Sequence, residues 1–359
     1  MQSRFRNRWL VLLTSVALIT AFSLEVFSNA KTKRKKKHHP SESAVLWHDP
    51  GNIGKRDLYY GPGSKDLAPA SPFRFLKEAL EGGMPKFDVQ DAHGVKWRVK
   101  LGQEAQPEIV SNRLLWAVGY NAQESYYFDR VHIDNMQRLS RGQKFVQGDS
   151  VIGARFEPRR KNVERNENWD WNKNPFKGTR ELNGLKTMMV LLNNWDTFKK
   201  NNRVLHVEET GENNYTVTDL GASLGAAGGF GARRSKNNVN DFARSRFVSK
   251  VKDGNVKYAY DLKPKKLGIL SVLWPPYYIR QHKATNRMNK VPVEHAAWIG
   301  SQLAQLSDDQ LRDTFRAAGY DRATTEQYVR ALRNRINDLN RLRDAQLASR
   351  PRHVRERLY

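Results

Sequence analysis

An α+β body that ends in helices is the fold class this sequence predicts, and three observations predict it. Val95-Lys96-Trp97-Arg98-Val99-Lys100 alternates apolar and polar residues as a half-buried strand does, behind the turn signal Asp91-Ala92-His93-Gly94. Glu181 to Leu192 places Leu182, Leu185, Met188, Met189 and Leu192 at a helical period. Ser307-Asp308-Asp309-Gln310 and Thr324-Thr325-Glu326-Gln327 both read as capping-box helix starts, with Gly319 ending the helix between them. With 359 residues, 39% of them hydrophobic and nine of them Trp, the chain is large and apolar enough to bury a substantial core.

Taken in order, the first thirty residues read as a targeting segment and not as part of the fold. Arg4, Arg6 and Arg8 precede an uncharged apolar stretch from Trp9 to Leu24, and Ser28-Asn29-Ala30 offers small residues at a cleavage spacing. Export by a cleaved signal, to a periplasm or secretory lumen, is the expectation. The alternative is an N-terminal membrane anchor with a cytoplasmic body, because Lys31, Lys33, Arg34, Lys35, Lys36 and Lys37 follow the apolar stretch at once. That basic run also suits an anionic membrane surface. Residues 31–70, rich in Gly, Pro, Asp and Ser, read as a tether and extended lead-in.

Residues 71–156 then hold the strand ending at Lys100 and the helix that Pro107 opens and Gly119 closes, followed by strands around Lys144–Val146 and Ser150–Phe156. Trp169 and Trp171 lie in a polar segment, where tryptophans pin a loop to the body more often than they stack a base. Residues 157–290 carry two β-prone runs, Arg203–Val207 and Tyr215–Thr218, on either side of a turn-rich stretch, and then the glycine-rich Gly225–Gly231 followed by Arg233 and Arg234. No Gly-Lys-Ser/Thr ends that stretch, which favours a mobile activation-type loop over a phosphate loop, with the two arginines placed to meet acceptor phosphate or an acidic substrate. Trp274-Pro275-Pro276-Tyr277-Tyr278 reads as a rigid aromatic turn, and residues 291–359 as helices and a basic tail.

Composition narrows the function classes. No cysteine means no disulfide, no thiolate metal site and no cysteine nucleophile. The nine histidines show no His-x-x-x-His pair, which argues against zinc, and no nucleophile elbow supports serine hydrolysis. A formal charge of +25 favours anionic partners without naming one.

The chemistry is carried by Asn193-Asn194-Trp195-Asp196-Thr197-Phe198-Lys199-Lys200-Asn201 and by Asp219-Leu220-Gly221. An Asp followed after four residues by an Asn, then a hairpin, then Asp-x-Gly resembles the catalytic and metal loops of the protein-kinase-like superfamily, in a divergent branch, because Asn194-Trp195 stands where His-Arg is usual. The resemblance implies a two-lobed α+β protein-kinase-like fold with a helical C-terminal extension over roughly residues 71–345. It further implies phosphoryl transfer from ATP, with Mg2+, to a hydroxyl acceptor. Asp196 would orient the acceptor, Asn201 and Asp219 would hold metal, and Lys100, with Lys96 as fallback, would clamp phosphates. Glu108, with Glu104 close behind, would pair with that lysine, and the turn at His93 and Gly94 would cover the phosphates. Two other classes stay open: a catalytically inactive pseudokinase-like envelope protein that binds a partner, and a basic protein that binds nucleic acid or an anionic surface.

Overall fold

The computed structural model describes residues 43–349 except 161, 166, 229–233 and 264–274. The targeting segment, the basic run, the end of the glycine-rich stretch with Arg233, Trp274 and the C-terminal tail therefore lie outside the described residues. Among the described residues, no helix is long and apolar enough to cross a membrane.

The part of the lead-in that is described is not an extended tether. Strand β1 (Ala44–Val45) joins a sheet, and Leu46, Ile53 and Leu58 are buried in the larger of two hydrophobic cores. Three well-spaced apolar side chains are enough to dock a Gly/Pro-rich segment, because each one buried stabilises by roughly 2 kcal/mol.

The first lobe is an antiparallel sheet in the order β2-β3-β4-β7-β5, built from β2 (Arg74–Glu78), β3 (Lys86–Gln90), β4 (Lys96–Leu101), β5 (Tyr126–His132) and β7 (Ser150–Pro158), with the short β6 (Val146–Gln147) against β7. The alternation in β4 works as the sequence predicts. Trp97, Val99 and Leu101 enter the smaller core with Phe87, Val89, Phe73 and Phe156, so Arg98 and Lys100 take the other face. Between β4 and β5 runs α1 (Ala105–Ala117), whose Ile109, Val110, Leu114 and Leu115 bury in the larger core. This helix thus belongs by position to one lobe and by packing to the other. Gly119, at φ +93°, turns the chain out of it.

The second lobe begins at β8 (Val163–Arg165) and α2 (Arg180–Leu191), capped by the Thr179 hydroxyl. The hairpin β9 (Asn202–Val207) and β10 (Asn213–Val217) completes a sheet ordered β1-β10-β9-β8. Trp169 and Trp171 are buried beneath it, and the Trp169 indole donates to the Thr216 carbonyl, so both pin the loop that carries them. After α3 (Val239–Arg244) come β11 (Val248–Lys252) and β12 (Asn255–Tyr258), then α4 (Pro275–Met288), β13 (Val291–Pro292), α5 (Val293–Leu303), α6 (Asp308–Arg316) and α7 (Arg322–Ser349).

Two local expectations shift. Pro275-Pro276 opens a helix where a turn is expected, since proline's fixed φ and missing N–H suit a first helical turn. Helix α7 starts two residues before Thr324, with the Asp321 carboxylate taking the Thr324 N–H, whereas Ser307 and Gln310 form the expected reciprocal box on α6. The architecture is a two-lobed α+β fold with a helical C-terminal extension, and its cleft lies between β4, α1 and the loops around β9 and β10.

Candidate active site

Lys100 occupies the face of β4 opposite the small core and is almost fully buried. A lone ammonium there is untenable, and three carboxylates surround it: Glu108 at 2.8 Å, Glu104 at 3.0 Å and Asp219 at 3.4 Å. Burial alone would lower the Lys100 pKa, but Glu108 and then Asp219 outweigh it and hold the ammonium above its ordinary range. Lys96 is exposed four residues back on β4 and pairs across the sheet with Gln90, so the fallback position is not in the cleft.

Glu108 lies in the first turn of α1, one turn after Glu104, so both carboxylates face Lys100. Its other oxygen meets a cation that sequence reasoning missed. Arg155 on β7 lies 3.3 Å from Glu108 and 3.0 Å from Glu157, and β4 and β7 place Lys100 and Arg155 side by side in register. A single arginine in a strand carries no signal in sequence that separates it from a solvated one.

The loop after α2 is fixed from several sides. Asn193 takes φ +52° and donates to the Gly225 carbonyl at 2.7 Å and to the Ser245 hydroxyl at 2.8 Å. Asn194, fully buried, accepts the Asp196 N–H on its side chain, and its own carbonyl takes the Tyr260 hydroxyl. The Trp195 indole donates to the Ser235 carbonyl at 3.0 Å. Asn194 and Trp195 therefore supply two struts. One holds Asp196 and the other ties the loop to the far end of the glycine-rich segment.

Burial raises the Asp196 carboxyl above its ordinary range, although Lys200, 3.9 Å away, pulls the other way. Asn201 donates to the Asp196 carbonyl at 2.7 Å, which fixes the amide and leaves its oxygen for another partner. The Asn201 carbonyl holds the start of Asp219-Leu220-Gly221, accepting from the N–H and hydroxyl of Thr218. Gly221 is required by contact: a Cβ there would lie 2.4 Å from the Cβ of Glu104.

Lys100, Glu108, Asn201 and Asp219 line one cleft of about 190 Å³, and Asp196 is bound to Asn201 beside it. Gly94 does not line it. In the antiparallel pair Lys100 faces Lys86, while Gly94 lies in the turn before β4, at the end of the strand away from Lys100. The turn next to Lys100 is the one between β2 and β3, Glu81-Gly82-Gly83-Met84, held by Arg141 donating to the Gly82 and Ala79 carbonyls at 2.6 and 3.2 Å. Its two glycines were a signal available in the sequence. A larger hollow of about 580 Å³ between α6 and α7 is lined by Asp309, Arg312 and Glu326, which are already paired with one another.

Among the described residues, no three His, Cys, Asp or Glu side chains gather into a metal cage. The donor set of Asp219 and Asn201, one carboxylate and one amide oxygen, fits a hard cation that completes its shell with phosphate and water, as Mg2+ does.

No family model matches the chain, and no curated relative matches it. Among solved structures, the crystal structure of a Helicobacter pylori proinflammatory kinase, CtkA, is similar to it over 76% of this chain and 97% of that one, with 13% identity and a TM-score of 0.42.

Proposed function

We propose that this protein is an atypical kinase-like phosphotransferase that moves a phosphoryl group from ATP to a hydroxyl. The observation that carries the reading is the gathering of a lysine held by a helix glutamate, an Asp-x-Gly aspartate and an Asn-fixed Asp loop around one cleft. Lys100 would hold the phosphates, and Glu108 and Arg155 would keep it in place. Asp219 and Asn201 would hold Mg2+, which supplies charge neutralisation on the phosphates when bound. Asp196 would orient the acceptor hydroxyl. Its proton passes to the Asp196 carboxylate as the acceptor oxygen bonds to phosphorus and the bond to the departing diphosphate breaks.

The test is cheap. Mg-ATP should raise the thermal midpoint of the protein, because a ligand that binds only the native state stabilises it by mass action. Transfer of labelled phosphate to a mixed protein, lipid and small-molecule acceptor pool should then depend on Asp196. No shift with Mg-ATP at millimolar concentration would remove the reading in favour of a partner-binding protein.

A further inference from the structure

The walls of the cleft say something about the donor that the motif residues do not. Of the thirteen residues that line it, seven are Lys or Arg, three are Glu or Asp and three are Gln123, Asn201 and Thr218, so not one is aliphatic or aromatic. A site that selects a nucleobase ordinarily sandwiches its flat apolar faces and reads its edge with a few hydrogen-bonding groups. Neither device is present among the residues lining this cleft, whose volume of about 190 Å³ takes a phosphate chain and leaves the base of a nucleotide outside it.

The β4 side of the cleft, two residues before Lys100, is the guanidinium of Arg98. It is clamped by Asp88 and Glu81 through one N–H on each of its three nitrogens, which fixes the plane of its flat face. Such a face stacks on any base without reading it. On the β7 side, Glu157 is committed to Arg155 at 3.0 Å and to the Gln123 amide at 2.7 Å. What the cleft does offer is cationic donors. Arg155 is 3% exposed, and among the described residues its Nε and Nη1 have no hydrogen-bond partner, although Nη2 serves two carboxylates. A buried guanidinium with two unmet N–H groups beside Lys100 favours an anion at this wall.

We infer that this cleft selects its donor by the phosphate chain and not by the base, so that nucleoside triphosphates of any base and inorganic tripolyphosphate occupy it with similar affinity, held by Arg155 together with Lys100. The inference rests on the phosphotransfer reading above and names the class of donor for the same site.

Titration calorimetry on the full chain with Mg2+ tests it, using ATP, GTP, CTP, inorganic tripolyphosphate and adenosine as probes. The four triphosphates should bind within about threefold of one another, and adenosine should give no heat. ATP binding more than about thirtyfold tighter than the other three would overturn the inference and leave the phosphotransfer reading standing. If none of the four binds, the phosphotransfer reading fails and the inference fails with it. Arg155→Met should weaken ATP and tripolyphosphate alike, by about tenfold, as loss of a charge-assisted phosphate contact does. Because Arg155 is buried, Arg159→Gln, on an exposed lining residue, gives a second measure, with an equal loss of about threefold on both ligands. A loss confined to ATP in either folded variant would overturn the inference.

Discussion

Glu108→Gln separates an ionic assembly from a merely crowded one. The Glu108 carboxylate is almost completely buried and meets Lys100 at 2.8 Å on one oxygen and Arg155 at 3.3 Å on the other. At an effective dielectric of about 20, those separations correspond to gross attractions of about 6 and about 5 kcal/mol. Most of that offsets the cost of taking three charges out of water. The net loss when one partner of such a buried set goes is about 3–5 kcal/mol, because two cations are left facing each other. For a domain of this size the thermal midpoint should fall by about 6–15 °C. The assay is unfolding followed by circular dichroism at low and moderate salt. The double variant Glu108→Gln/Arg155→Met should recover part of the loss, since it removes one of the two cations left facing each other. Burial nonetheless raises the Glu108 carboxyl above its ordinary range, against the pull of Arg155 and Lys100, so a Glu108→Gln midpoint within about 1 °C of the parent would refute the reasoning by showing that desolvation cancels both ion pairs.

Four further outcomes are expected. Asp219→Ala should abolish metal-dependent nucleotide binding in calorimetry while leaving the midpoint near that of the parent, since the Asp219 side chain is 44% exposed; normal Mg-ATP binding would exclude it as the ligand. Asp196→Ala should spare nucleotide binding and slow transfer by roughly a hundredfold or more, and an unchanged rate would remove Asp196 from the base role. The same residue also has a pH signature. Its folded pKa lies above its unfolded one, so its contribution favours the native state at low pH and declines as pH rises through the folded value. Asp196→Asn should therefore unfold at a higher temperature than the parent at pH 7, by about 2–4 °C per kcal/mol relieved, with the advantage gone below about pH 4. Transfer by the parent should fall on the acid side as Asp196 takes up its proton. Gly221→Ala should destabilise by about 1–3 kcal/mol through the Glu104 clash, read as a lower denaturant midpoint; an unchanged midpoint would mean that α1 yields freely at this point.

The site was legible where chemistry is written as spacing. Asp196, Asn201 and Asp219 sit on one loop and one hairpin, so local order in the chain translates into nearness in space. Glu104 and Glu108 were legible because one helical turn separates them. Gly94 was misleading because a turn beside a strand is visible in sequence, whereas which end of that strand faces the cleft depends on pairing with β3 and β7. Arg155 lay hidden for the same reason: only the register that sets it beside Lys100 distinguishes it from the other arginines. The docking of the lead-in escaped notice because Leu46, Ile53 and Leu58 follow no helical or strand period, and their burial depends on surfaces formed by residues much later in the chain.

Glu104 makes the cleft answer to events outside it. Its carboxylate is shared between Lys100 at 3.0 Å and Lys236 at 2.7 Å, and Lys236 belongs to the segment just past the glycine-rich stretch. The neighbouring Asn237 adds a bond to Gln106 at 3.1 Å, so the start of α1 and that segment are fastened at two points. A phosphate arriving at Lys100 must compete with its carboxylates, and Lys236 draws one of them partly away. Displacing Lys236 returns the whole of Glu104 to Lys100 and makes the ammonium harder to win. On the phosphotransfer reading, the hold of Lys100 on phosphate would be geared to the placement of Lys236, as a governor on a shaft sets the speed of a wheel.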